Sequence, residues 1–187
     1  MPKLTIFDKL LQRTLLPLIP KSITPNQVTV MRFIITPFIV WLLFVQQYTF
    51  GLALFLFAAL TDALDGAMAR TRNQITDAGK MIDPIADKFL IFSVALVLIM
   101  NHIGWHIVLV LFVVEGLVML RGLMWYTKGT VLQANIWGKV KMILEVTAVV
   151  FIFLGILFHA PLFFSIAFGV LVVAIAFASV SFFSYGI

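Results

Sequence analysis

Asp62-Ala63-Leu64-Asp65-Gly66-Ala67-Met68-Ala69-Arg70 and, eight residues further on, Gly79-Lys80-Met81-Ile82-Asp83-Pro84-Ile85-Ala86-Asp87 put two pairs of carboxylates where an apolar chain tolerates them least. Asp62 and Asp65 stand at i, i+3 near the end of one apolar stretch. Asp83 and Asp87 stand at i, i+4 near the start of the next. Each pair projects from one face if the stretches are helical. The chain has 8 Asp and Glu in all, so half of its acidic side chains fall in this window. A carboxylate at the centre of a membrane helix costs about 2.5–3.5 kcal/mol on insertion scales. These groups need a counter-charge, and a divalent metal is the first candidate.

Working outward, 63% of the 187 residues are hydrophobic and only 11% are charged, far from the soluble globular range. The chain reads as an integral membrane protein of the all-α class. Cysteine is absent, which excludes a disulfide framework and a thiolate metal site. Met1-Pro2-Lys3-Leu4 opens no short apolar core with a small-residue cleavage site, so no removable signal peptide is expected. Six segments, at about 28–48, 51–71, 81–100, 104–126, 138–158 and 161–184, are long enough to cross a bilayer. Short connections between them predict a bundle of helical hairpins. Before them, Leu4, Phe7, Leu11 and Leu15 recur at helical spacing opposite Asp8, Lys9, Gln12 and Arg13. That pattern predicts an amphipathic helix in the membrane interface. The expected organisation is an interfacial helix and lead-in over 1–26 and a six-helix transmembrane catalytic domain over 27–187.

All 13 Lys and Arg fall on one side of this six-span arrangement. Lys3, Lys9, Arg13, Lys21 and Arg32 belong to the start of span one. Arg70, Arg72, Lys80 and Lys88 flank the second connection, and Arg121, Lys128, Lys139 and Lys141 flank the fourth. The connections around Gln46–Gly51, Asn101–Gly104 and His159–Pro161 carry none. The positive-inside bias places both termini, the basic loops and the aspartates on the cytoplasmic side of the cell membrane. The net charge of +5 is then a topological and lipid-facing signal. No aromatic-basic interleaving suggests a nucleic-acid surface.

On span two, Asp62, Asp65, Gly66 and Ala69 share a helical face, and on span three Gly79, Asp83 and Asp87 do the same. Carboxylates alternating with nearly bare backbone give metal ligands beside an open trough. Arg70 follows within reach of an anionic ligand held there. Four carboxylates and a diphosphate would repel one another unless cations intervene. Two Mg²⁺ or Mn²⁺ ions, favoured over zinc by an oxygen-only donor set, would bridge them. His102, His106 and His159 lie on the opposite side, where interfacial anchoring suits them better than metal binding. Glu145 follows Lys141 by four residues and predicts a helix-surface ion pair. Arg72 reads as a topology anchor, and Asn26 and Thr29 equally as helix-start residues or ligand contacts.

Asp62-x2-Asp65-Gly66-x2-Ala69-Arg70-x8-Gly79-x3-Asp83-x3-Asp87 matches without a gap the signature of the CDP-alcohol phosphatidyltransferase family. The resemblance extends over the chain, in six spans, an N-terminal interfacial helix and comparable length. It implies transfer of a phosphatidyl group from a CDP-linked lipid, CDP-diacylglycerol, to an alcohol, with release of CMP. It further implies that Asp62, Asp65, Asp83 and Asp87 bind the metal pair and that Asp87 is the general base. Gly66, Ala69 and Gly79 would line the cytidine, Arg70 would contact the diphosphate, and the enzyme would be a homodimer. Pro25-Asn26-x2-Thr29-x2-Arg32, Asp83-Pro84-x2-Asp87-Lys88 and Gly138-Lys139-Val140-Lys141 are similar to the phosphatidylglycerophosphate synthase branch, whose acceptor is glycerol 3-phosphate. A phosphorylated acceptor would suit Arg121, Lys139 and Lys141. Glu115, an intramembrane acid, is assigned a supporting role there. That branch usually has Arg directly before this acidic residue, whereas Val114 stands here. Other acceptors, such as inositol phosphate, serine or phosphatidylglycerol, therefore stay open. A rival of a different class is a divalent-cation transporter using the same aspartates.

Overall fold

The computed structural model describes residues 11–20, 22–72, 74, 76–127 and 136–184, among which there are helices and turns and no strand. Six long helices run in chain order: α1 (Pro25–Phe44), α2 (Tyr48–Thr71), α3 (Asp77–His102), α4 (Trp105–Thr127), α5 (Ile136–Leu157) and α6 (Pro161–Ser184). All of α1 and α2, and the stretches Ile85–His102, Val140–Leu157 and Pro161–Phe182, are long and apolar enough to cross a membrane. In α4 the apolar stretch is the shorter Trp105–Val118. The chain is a multi-pass membrane protein of the all-α class.

Four helices, α1, α2, α3 and α5, start earlier than their apolar patterns suggest, and at α1 and α3 a capping side chain lies outside the hydrophobic run. At α1 the Thr24 side chain accepts the Gln27 backbone N–H, while the Gln27 side chain accepts the Thr24 N–H at 2.9 Å. This capping box, with Pro25 at the first helical position, opens the helix at 25 rather than 28. At α3 the Thr76 hydroxyl accepts the Gly79 N–H at 3.0 Å, so the helix opens at Asp77 rather than near 81.

Short turns follow α1, α3 and α5. After α1, Gln46 takes φ 59° and Gln47 N–H donates to the Leu42 carbonyl at 2.8 Å. After α5, His159 takes φ 50° and Ala160 N–H donates to Gly155 at 3.1 Å. Both satisfy helix-end carbonyls in the manner of a Schellman cap, although neither residue is glycine. Gly104, after α3, has φ 138°, which only glycine adopts readily.

The chain divides into two compact units, 1–94 and 95–187. In the first, α1 packs along α2. Residues 11–14 are helical and Leu16–Leu18 form a 3-10 turn. Leu11 and Leu16 are buried with Ala67 and Met68 of α2, while Gln12 and Arg13 are exposed. The remainder of the expected interfacial helix, including Leu4 and Phe7, lies outside the described residues. Arg72 does more than mark topology: its guanidinium donates to the carbonyls of Ile19, Pro20 and Ile23, tying the lead-in to the end of α2.

In the second unit α5 packs closely on α6, and α4 also contacts α6. His102 stacks on Phe164 with ring centroids 5.6 Å apart, and His106 on Trp105 at 3.9 Å. Both histidines are thus engaged with aromatic rings.

Thr24→Ala removes the α1 capping box and should lower stability by about 1 kcal/mol. Thermal unfolding in detergent checks this, with Thr24→Ser expected to stay near the parent.

Candidate active site

Thr29 and Arg32, one helical turn apart on α1, are both completely buried and both face the acidic pairs. The Thr29 hydroxyl lies 3.0 Å from Asp65 Oδ2 on α2 and 2.8 Å from Asp83 Oδ1 on α3. It also lies 3.2 Å from the Pro25 carbonyl. The Arg32 guanidinium donates to Asp62 at 3.0 Å, and also to Asp65 and Asp87. The four aspartates singled out by spacing are therefore joined, through two side chains of a third helix, into one polar cluster. Asp65 is buried, whereas Asp62, Asp83 and Asp87 keep partial exposure.

Local contacts fix how the three helices meet. The Asn26 amide donates to Thr76 Oγ at 3.1 Å, linking the first turn of α1 to the cap of α3. Phe33 of α1 stacks on Phe89 of α3 at 5.7 Å. Between these contacts Gly79 sits so close to α1 that a Cβ there would meet Asn26 Oδ1 at 2.8 Å and Thr76 Oγ at 3.0 Å. Gly66 has a different neighbour. Its Cβ position is 3.2 Å from Arg70 Nη1, so the Arg70 guanidinium folds back over the bare backbone. Ala69, half-buried, adjoins it on α2.

Arg32 is the residue that spacing alone did not assign to the site. It stands eight positions into an apolar helix, where a single cation reads as a topology signal until its partners on the neighbouring helices are seen. Thr29 and Asn26 are resolved as well. Both belong to the helix, yet both use their side chains across it.

The donor set can be tested against a divalent ion. Among the described residues no three acidic or histidine side chains already form a metal cage. The donors nevertheless suit Mg²⁺ or Mn²⁺, since all are oxygens and most are charged. One detail points the same way. The Thr29 hydroxyl has a single proton to donate but faces two carboxylate oxygens and a carbonyl. Acceptors outnumber donors at that point, as at a place suited to a cation.

The expected acceptor residues fall in the second unit. Lys141 donates to Glu115 and pairs with Glu145 at 3.5 Å, the latter being the predicted i, i+4 pair. Arg121 lies over the Phe182 ring, 4.8 Å from its centroid. Of Lys139 only the backbone, within α5, is described; its side chain lies outside the described residues.

Residues 22–180 match the CDP-alcohol phosphatidyltransferase family. The chain belongs to this family. Curated relatives carry the name CDP-diacylglycerol–glycerol-3-phosphate 3-phosphatidyltransferase. One from Cereibacter sphaeroides is 34% identical over 140 residues, 70% of this chain and 63% of the relative. One from Bacillus subtilis is 35% identical over 105 residues, 53% of this chain and 52% of the relative. One from Aquifex aeolicus is 44% identical over 68 residues, 36% of this chain and 38% of the relative. The matched stretches thus span between 38% and 63% of these relatives' lengths.

Gly79→Ala should force α1 and the α3 cap apart, costing about 1–3 kcal/mol as overpacking does. Gly116→Ala, where nothing lies within 4 Å of the new methyl, is the control and should be neutral or slightly stabilising in the same unfolding assay.

Proposed function

We propose that this family member transfers the phosphatidyl group of CDP-diacylglycerol to glycerol 3-phosphate, releasing CMP, in phospholipid synthesis. The observation that carries the reading is the convergence of Asp62, Asp65, Asp83 and Asp87 on Thr29 and Arg32. The names of the curated relatives support the acceptor.

In this reading the four aspartates hold two Mg²⁺ or Mn²⁺ ions. Bound, those ions would neutralise the donor diphosphate and polarise its phosphorus. Gly66, Ala69 and Gly79 leave room for the cytidine, with Asn26 and Thr29 at its edge. Arg70, poised over Gly66, donates to the diphosphate. Asp87 accepts the proton of the acceptor hydroxyl as that oxygen attacks phosphorus and the bond to CMP breaks. Arg121, Lys139 and Lys141, with Glu115 orienting Lys141, would attract the acceptor phosphate. The enzyme would act as a homodimer with both termini and the site at the cytoplasmic face.

Depth in the membrane favours an enzyme over a cation transporter. Asp65 stands six residues before the end of α2, about 9 Å at 1.5 Å per residue, which is shallow for a transport pathway. Such a position lets a lipid enter sideways from the leaflet and a soluble acceptor arrive from the cytosol.

Asp87→Asn should lower CMP release from CDP-diacylglycerol and glycerol 3-phosphate by about 10²–10⁴-fold, the usual contribution of a general base. Parent activity with inositol phosphate, serine or phosphatidylglycerol but none with glycerol 3-phosphate would reassign the acceptor. The chain has no cysteine, so single cysteines report orientation directly. In right-side-out vesicles an impermeant maleimide should label Ile103→Cys and leave Gln74→Cys untouched.

A further inference from the structure

Arg32 is a completely buried cation on a membrane helix, and the chemistry just proposed gives it no task. Its Nη1 serves both Asp62 and Asp87, and its Nη2 serves Asp65. One guanidinium thus engages three of the four acids, the intended base among them. Its Nε is equally buried and has no hydrogen-bond partner among the described residues.

We propose that Arg32 competes with the divalent cations for these carboxylates: it bridges Asp62, Asp65 and Asp87 in one arrangement and withdraws from them in the arrangement that holds metal. The inference rests on the metal reading above. Arginine keeps its proton under all ordinary conditions, so it cannot make way for a dication by becoming neutral. A dication among the same oxygens would sit beside a fixed positive charge in a poorly screened interior, where like charges repel strongly. The guanidinium therefore has to move, or else weaken the metal. The orphaned Nε shows that the bridging arrangement is incompletely satisfied, so leaving it forfeits less than leaving a saturated site. Bridging would also keep the acids from repelling one another until metal arrives. Arg32 is in this sense a positioning residue whose removal should tighten metal binding. Competition of this kind multiplies the apparent affinity by the fraction of molecules in the open arrangement.

The test uses the purified full chain of the parent, Arg32→Gln and Arg32→Lys, with Mn²⁺ binding followed by electron paramagnetic resonance. If bridged molecules outnumber open ones about tenfold, Arg32→Gln should bind Mn²⁺ about tenfold more tightly than the parent, with Arg32→Lys between them. In chelator Arg32→Gln should melt below the parent, and Mn²⁺ should raise its midpoint by the larger amount. Equal or weaker Mn²⁺ binding by Arg32→Gln, with the parent binding normally, overturns the competition and leaves the metal reading standing. No Mn²⁺ binding by any of the three overturns both. A measurement on the parent alone guards against a variant that does not fold. The chain has five arginines, so ¹⁵N-arginine labelling resolves the Arg32 Nε–H signal, identified by its loss in Arg32→Lys. Saturating Mg²⁺ should shift that signal; a signal that stays in place while Mg²⁺ binds overturns the withdrawal.

Discussion

An acid among apolar helices needs a donor or a cation for its oxygens, and this protein concentrates four acids, one buried and three partly exposed, around two side chains of α1. Stripping an ionised carboxylate of water costs several kcal/mol unless hydrogen bonds and charge replace the water. Much of the architecture of residues 11–94 follows from that demand. Asp62 and Asp65 come from α2, and Asp83 and Asp87 from α3. The donors are on α1, at Thr29 and Arg32, so the three helices are obliged to meet where the acids are.

Placing that meeting point is the work of helix ends. The Thr24 capping box fixes where α1 begins, and hence which residues of α1 stand one and two turns inside it. Thr76 does the same for α3 and is hydrogen-bonded to Asn26, so the two starts are locked in register. Gly79 permits that lock, because any side chain there would occupy the space of Asn26 and Thr76. The Phe33–Phe89 stack holds the next turns together. On the other flank, Arg72 collects three carbonyls of the lead-in and closes the end of α2.

The helices and the acidic quartet were legible in the amino-acid sequence because hydropathy and spacing along one chain encode them directly. Helix starts were less so. Thr24 and Thr76 lie outside the apolar runs, and capping adds residues that hydropathy does not mark. The role of Arg32 was hidden for a different reason. A lone cation near the start of an apolar span looks like a topology signal, and only the approach of α2 and α3 shows which acids it meets. The pairing of Glu145 with Lys141 four residues earlier was legible because it is local, although the pair is largely buried and not on the helix surface as the spacing alone suggested. The pairing of Lys141 with Glu115 crosses 26 positions and no local pattern announces it.

Those two clusters differ in how far their charges balance. Around Lys141, two glutamates share one ammonium, an excess of one negative charge among the side chains those ion pairs join. Around Arg32 and Thr29, four aspartates share one guanidinium and one hydroxyl, a formal excess of three negative charges among the side chains those hydrogen bonds join. A purely structural cluster has no reason to keep so many uncompensated acids, since replacing them with apolar residues of similar volume is commonly neutral or stabilising. Under the proposed chemistry cations from solution would complete that excess, and cations held at the edge of a membrane are in turn what a diphosphate would need in order to approach carboxylates. The charge balance, more than the presence of any single aspartate, is what connects the fold of these three helices to the phosphotransfer proposed for it.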